Sequence, residues 1–289
     1  MLPILRSAGL LASDDFHSYH CDCSNCDPDD GYPLRAQNDS SCSGELISRV
    51  YGTRAHPSTD AYAVMREVQN AAVDADAVPG LRSGFHVHVS ASRLTRSDRA
   101  DVLWQWLRWE PTMEAIASGP FAQMRDFNYR NRNYALDSLA YVHDAPYDMR
   151  YRNWSWDQAW SHWLSAVDGP ELEGMQERLL DHTCESDRHS LLATYTRYDT
   201  FEFRLWNSTR SAWRMELYAR LSCAWMKPRI TASLADLSPR SSAFPEENMR
   251  LFLTALDNAG EDQRTLELLE RQIAWLTSGR AQYEPVFTA

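Results

Sequence analysis

An α+β fold, a mainly antiparallel sheet flanked by helices, is what this sequence predicts, and three observations carry the prediction. Two stretches alternate apolar and polar residues with period two: Gly84-Phe85-His86-Val87-His88-Val89-Ser90 and Thr200-Phe201-Glu202-Phe203-Arg204-Leu205-Trp206-Asn207-Ser208-Thr209. Side chains of a strand alternate between faces, so each stretch has an oily face and a polar one. Around them lie several segments whose apolar residues recur with helical period. No internal repeat and no low-complexity linker divides the 289 residues, so one domain spanning 1–289 is expected.

Taken in chain order, residues 1 to 33 read as irregular and polar, with Asp27-Pro28-Asp29-Asp30-Gly31 as a turn. Residues 34 to 40 and 45 to 51 read as short strands around a Ser/Gly turn. Ser58-Thr59-Asp60 offers a helix cap, and Ala61, Val64, Met65, Val68, Ala71 and Ala72 keep the helical period until Val78-Pro79-Gly80. The His86 strand follows. A second helix runs from about residue 97 to 118, with Val102, Trp106, Trp109 and Met113 on or near one face and Pro111 expected to kink or split it. Residues 119 to 153 are loop-rich. Short helices are expected after Ser155, with Ala159, Trp160 and Trp163, and over residues 171 to 180. Two strands, 190 to 198 and 200 to 207, meet in a tight turn near Asp199. Ser211 caps a helix through Leu217, Leu221 and Trp225 that Pro228 stops. Helices over residues 246 to 258 and 262 to 278 complete a C-terminal helical layer that begins near residue 230.

Composition narrows the function. The hydrophobic fraction is 44% and the charged fraction 24%, ordinary for a globular chain. No apolar run approaches the roughly 18 residues of a membrane span, so no membrane association is expected. Met1-Leu2-Pro3-Ile4-Leu5-Arg6 lacks a basic stretch followed by a long apolar one, so no secretory signal is read there. The net charge of −11 argues against a nucleic-acid backbone as main partner. Lys227 is the one lysine among 29 basic residues, a bias expected of a GC-rich bacterial or phage genome; a cytoplasmic location in such a cell follows as the expectation. A lysine nucleophile is thereby disfavoured, and a phosphate must be held by arginine, metal or backbone. There is no Gly-Lys-Ser/Thr loop and no Gly-x-Ser-x-Gly elbow, which disfavours a P-loop ATPase and the common serine hydrolases.

Four groups of residues carry candidate chemistry. His86 and His88 lie two apart on one strand, about 6.5 Å between Cα atoms, and face one way; imidazole suits several divalent metals. Glu202 and Arg204 share the polar face of the second strand. They form either an exposed ion pair of little consequence or, next to a metal, the carboxylate and guanidinium that phosphoryl transfer requires. Asp39 and Glu45 flank the polar turn Ser40-Ser41-Cys42-Ser43-Gly44 and read as loop acids or as site acids. Arg125, Arg130 and Arg132 form either a solvated loop or a clamp for nucleotide phosphates or a carboxylate. Separately, His17, His20, Cys21, Cys23 and Cys26 lie within ten residues and could form a structural zinc site, although the spacing is not the usual paired Cys-x2-Cys. Cys42, Cys184 and Cys223 read as small buried side chains.

Three segments together resemble the amidoligase family of the carboxylate–amine ligase superfamily, whose best-known relative is glutamine synthetase. They are Asp39-Ser40 with Glu45-Leu46-Ile47-Ser48, then Ser83-Gly84-Phe85-His86-Val87-His88-Val89, then the stretch from Thr200 to Thr209, within a span of about residue 34 to 226. The resemblance implies an antiparallel sheet curved around ATP and magnesium (or manganese). It also implies amide formation through an acyl phosphate, on carboxylate and amine substrates for which a peptide or cell-wall fragment is plausible. By position, His86 and Glu202 are implied as metal ligands, and His88 as a contact to nucleotide phosphates. Arg204 is implied as the group that stabilises the transferring phosphoryl, and Glu45, with Asp39 behind it, as a further metal or substrate ligand. The family's usual Gly-x-Glu-x-Glu strand has no counterpart before Asp39. Either the true start lies upstream or the protein is a degenerate ligase. The alternatives are a metal-dependent hydrolase and a non-catalytic binding or structural protein on the same fold.

Overall fold

The computed structural model describes residues 1–12, 32–38, 45–49, 51, 58–77, 84–118, 192–195, 199–207, 209–240 and 245–278. Among them are seven helices and two small antiparallel sheets, a mixed α+β architecture. They fall into two compact units: residues 1–83 with 208–216 and 284–289, and residues 84–207 with 217–283. No helix among the described residues is long and apolar enough to cross a membrane.

In the first unit, helix α1 (Leu2–Ser7) opens with Pro3, whose fixed φ and missing N–H suit a helical first turn. This helix falls in a stretch expected to be irregular, because six residues are too few to show a period; Leu5, fully buried, is what anchors it. Strands β1 (Leu34–Gln37) and β2 (Glu45–Ser48) pair antiparallel, Gln37 opposite Glu45. Helix α2 (Ser58–Asp74) buries Val64 and Ala71 against Leu5, Leu10, Leu11 and Leu34, the helical stripe read from the sequence.

The second unit is built on a three-stranded sheet in the order β3–β5–β4, with β3 Gly84–Ser90, β4 Leu192–Tyr195 and β5 Thr200–Asn207. Both pairings are antiparallel. The turn into β5 places Asp199 at a φ of 49°, the left-handed region that aspartate tolerates. Arg99 holds it with a 2.7 Å ion pair, and its carbonyl accepts from Ala91 N–H.

Helix α3 (Arg96–Ser118) starts one residue ahead of the expected position, because Thr95 and Asp98 form a reciprocal cap: each side chain accepts from the other's backbone N–H. Pro111 does not split it. The helix survives because its flanks are pinned on several sides. Trp106, Leu107, Trp109 and Met113 are fully buried, and Gln272 donates to the Ile116 carbonyl at 2.8 Å. Helix α4 (Ala212–Trp225) begins in the first unit, where Gln69 accepts from the Ala212 N–H, and continues into the second. Cys223, expected to be buried, is exposed on it, on the helix face it shares with Arg220 rather than with Leu221 and Trp225.

Pro228 does not merely stop that helix. It is the first residue of an additional short one, α5 (Pro228–Ala235), again through the compatibility of proline with a first turn. Helices α6 (Pro245–Asn258) and α7 (Gln263–Thr277) follow, the latter capped by Asp262 on Thr265 N–H. Lys227, the only lysine, donates to the buried Glu261 carboxylate at 2.6 Å and 2.7 Å, so the residue serves an ion pair between helices.

The core of this unit is aromatic. Trp106 meets Phe203 of β5 and Trp225 of α4 edge-on, at ring separations of 5.6 Å and 5.2 Å, and its indole N–H donates to Glu110 at 2.7 Å. Trp225 in turn stacks on Phe252 of α6. Trp106 thus joins sheet and helices at one point. Trp106→Ala should lower unfolding stability by about 3–5 kcal/mol, the range for a fully buried tryptophan. Trp106→Phe, which keeps ring contacts but loses the bond to Glu110, should cost less. Chemical denaturation of the two variants measures both; equal effects would contradict the role assigned to the indole ring.

Candidate functional site

The two motif strands lie side by side. In the β3–β5 register His88 stands opposite Glu202 and Ser90 opposite Thr200. The register shifts between Phe85 and Val87: Phe85 pairs with Trp206, but Val87 pairs with Phe203, which leaves His86 opposite both Arg204 and Leu205. The extra residue is a bulge in β5.

The bulge changes the face assignment. Strict alternation predicts Phe201, Phe203 and Leu205 on the apolar side. Instead Trp206 takes the third place, as the register partner of Phe85. It stacks on Tyr218 of α4 at 4.6 Å and donates to Ser222 Oγ at 2.9 Å. The opposite face gathers four predicted residues. Glu202 Oε1 lies 3.2 Å from His86 Nδ1, 3.4 Å from His88 Nε2 and 2.8 Å from the Arg204 guanidinium. The same guanidinium nitrogen reaches Oε2 at 2.9 Å. The Glu202 side chain is only 3% exposed, against 27% for His86 and 48% for His88.

A carboxylate so deep in a central strand ionises against a desolvation penalty, which by itself would raise its pKa. The hydrogen bonds from His86 and His88 and the charge of Arg204 outweigh that penalty, and the carboxyl is held well below its ordinary value. Sequence reasoning missed one participant. Thr200 Oγ1 lies 3.4 Å from His88 Nδ1, so both ring nitrogens of His88 have partners. Its position two residues before Glu202 on the same strand face was the available signal.

Glu45 lies in β2 of the first unit, where Gln37 donates to its Oε2 at 2.8 Å. Asp39, the arginines 125, 130 and 132, and the cluster of His17, His20, Cys21, Cys23 and Cys26 lie outside the described residues. So do the expected helices after Ser155 and over residues 171 to 180. Among the described residues no three His, Cys, Asp or Glu side chains are grouped to hold a metal ion. Around Glu202, His86 Nδ1, His88 Nε2 and the Arg204 guanidinium all lie within 3.4 Å of one carboxylate oxygen.

A scan against protein-family models, a search of curated proteins and a search of solved structures each return no match to this chain.

The depressed Glu202 pKa sets a sign for acid stability. Because the folded pKa lies below the unfolded one, the stabilisation is fully present above the ordinary carboxylate range. It declines as pH falls through that range toward the folded value. Glu202→Gln should flatten this part of the stability curve. Urea unfolding of parent and variant between neutral pH and about pH 3 checks it; parallel curves would mean that Glu202 is not held in its charged form by these partners.

Proposed function

We propose that this chain is an ATP-dependent carboxylate–amine ligase, with the polar face of β3 and β5 as its phosphoryl-handling surface. The observation that supports it is the meeting of the two most specific motifs of the resemblance: His86, His88, Glu202 and Arg204 form one contact group on adjacent antiparallel strands. In this reading the three strands belong to a curved, glutamine synthetase-like sheet. No match from the comparisons with known proteins adds to it.

The chemistry has two steps. A substrate carboxylate oxygen attacks the γ-phosphorus of ATP, the bond to the β–γ bridging oxygen breaks, and ADP leaves. An amine nitrogen then attacks the acyl carbon and gives up a proton, while the C–O bond to phosphate breaks and phosphate departs with the electron pair. Arg204 offsets negative charge on the transferring phosphoryl oxygens, held in place by Glu202. His88, the most exposed of the four, contacts phosphate oxygens, and Arg125, Arg130 and Arg132 supply further cations. A peptide or cell-wall fragment is the proposed substrate class.

Magnesium accompanies ATP in this reading and offsets phosphate charge when bound. One Arg204 nitrogen reaches both oxygens of Glu202, so an ion held by this carboxylate would lie beside the guanidinium's like charge, and neither step above is routed through the ion. The same geometry weakens the hydrolase alternative, which asks these side chains to open toward a metal-bound water. It favours one second reading, a non-catalytic protein whose site residues satisfy one another.

The purified chain with ATP, magnesium, hydroxylamine and a panel of carboxylates separates the two. A ligase releases ADP and forms hydroxamate only when its carboxylate is present. Arg204→Ala should lower that rate about 10²–10³-fold, the usual effect of losing one preorganised charge donor. Absence of ATP binding by calorimetry, together with no carboxylate-dependent ADP, would favour the non-catalytic protein.

A further inference from the structure

Four contacts converge on the Glu202 carboxylate. Oε1 lies 3.2 Å from His86 Nδ1 and 3.4 Å from His88 Nε2 and accepts from Arg204, and Oε2 accepts from the same guanidinium nitrogen. Each carboxylate oxygen has about two acceptor positions, so Oε1 is fully engaged and Oε2 in part. Its single negative charge is already matched by the single positive charge of Arg204. A divalent ion bound to either oxygen would sit beside that guanidinium, like charge against like charge, in a place almost closed to water. We infer that Glu202 is a positioning residue, the acceptor that sets the tautomer and aim of both histidines, and is not a cation ligand. This deepens the ligase reading at one residue and departs from the ligand set that the resemblance implies.

The contacts fix specific protons. An ionised carboxylate only accepts, so the ring nitrogen facing it carries the hydrogen. For neutral His86 that is Nδ1, which leaves Nε2 as the acceptor; Nε2 has no partner among the described residues. For neutral His88 it is Nε2, and Nδ1 then accepts from the Thr200 hydroxyl. Two histidines on one strand face are thus held in opposite tautomers by one carboxylate. The difference follows from the register: His88 stands directly across from Glu202, whereas His86 reaches it from across the bulge. A carboxylate orienting an imidazole in this way is a familiar supporting arrangement, with the acceptor nitrogen left for a ligand.

The test is nitrogen-15 NMR on histidine-labelled protein without nucleotide, at a pH that keeps both rings neutral, with His86→Gln and His88→Gln used for assignment. The expected result is His86 protonated on Nδ1 and His88 on Nε2. In a Glu202→Leu, Arg204→Met double variant, which removes the pair without stranding either charge, His86 should revert to the Nε2-protonated form that free histidine prefers. Adding millimolar magnesium to the parent should leave both ring N–H signals in place. Two findings would overturn the inference: both rings protonated on Nε2 in the parent, or a saturating magnesium response that shifts both rings. If the double variant does not fold, the parent tautomers and the magnesium arm still decide. None of these readouts needs turnover, so a chain that makes no hydroxamate yet shows opposite tautomers refutes the ligase and keeps Glu202 as positioner.

Discussion

The rest of the sheet depends on a carboxylate whose side chain is only 3% exposed. Glu202 sits in β5, the middle strand of three, with neighbours hydrogen-bonded on both sides. A buried charge is tolerated only when it is paired and hydrogen-bonded. β5 supplies Arg204 two residues along the same face, and β3 supplies two imidazoles. That requirement also fixes register. Sliding β3 by one residue would turn valines toward Glu202 and the histidines toward the helices.

The other face imposes a second constraint, and the bulge reconciles the two. Phe201, Phe203 and Trp206 side with Phe85, Val87 and Val89, their register partners. Phe203 packs on Trp106 of α3, and Trp206 stacks on Tyr218 of α4. An unbroken strand would send residues 203 and 206 to opposite faces. One extra residue at Arg204–Leu205 lets both aromatics face helices while Glu202 and Arg204 stay with the histidines. Core packing and the arrangement of the candidate site are therefore set by the same local irregularity.

Charge elsewhere follows the same pattern of arginine, and one lysine, serving structure. Arg99 holds the turn at Asp199, Arg108 donates to the carbonyl of Leu237 just past α5, and Lys227 with Arg229 neutralises the buried Glu261. The Leu237 carbonyl lies just past a helix end and Glu261 is buried, so each requires a partner; Asp199, 43% exposed, is instead a turn residue fixed in place.

The sequence by itself determined the local elements and the polar face. Period-two alternation placed His86 and His88 on one side of a strand and Glu202 with Arg204 on one side of another. Helical period placed α2, α3, α4, α6 and α7 to within a few residues, because amphipathic spacing is a property of neighbours along the chain. Elements without enough residues to show a period, α1 and α5, were not legible; each carries a proline in its first turn, whose meaning changes with what precedes it. The matched alternation also pointed to β3 and β5 as neighbours, which their pairing bears out; only the tertiary structure decided that Thr200 engages His88 and that Trp206 joins Phe201 and Phe203 on the helix-facing side. It alone decided that both imidazoles and the guanidinium meet at one oxygen of Glu202. Those outcomes depend on register, on the bulge and on the cost of enclosing one negative charge, which are set by contacts between segments far apart in the chain.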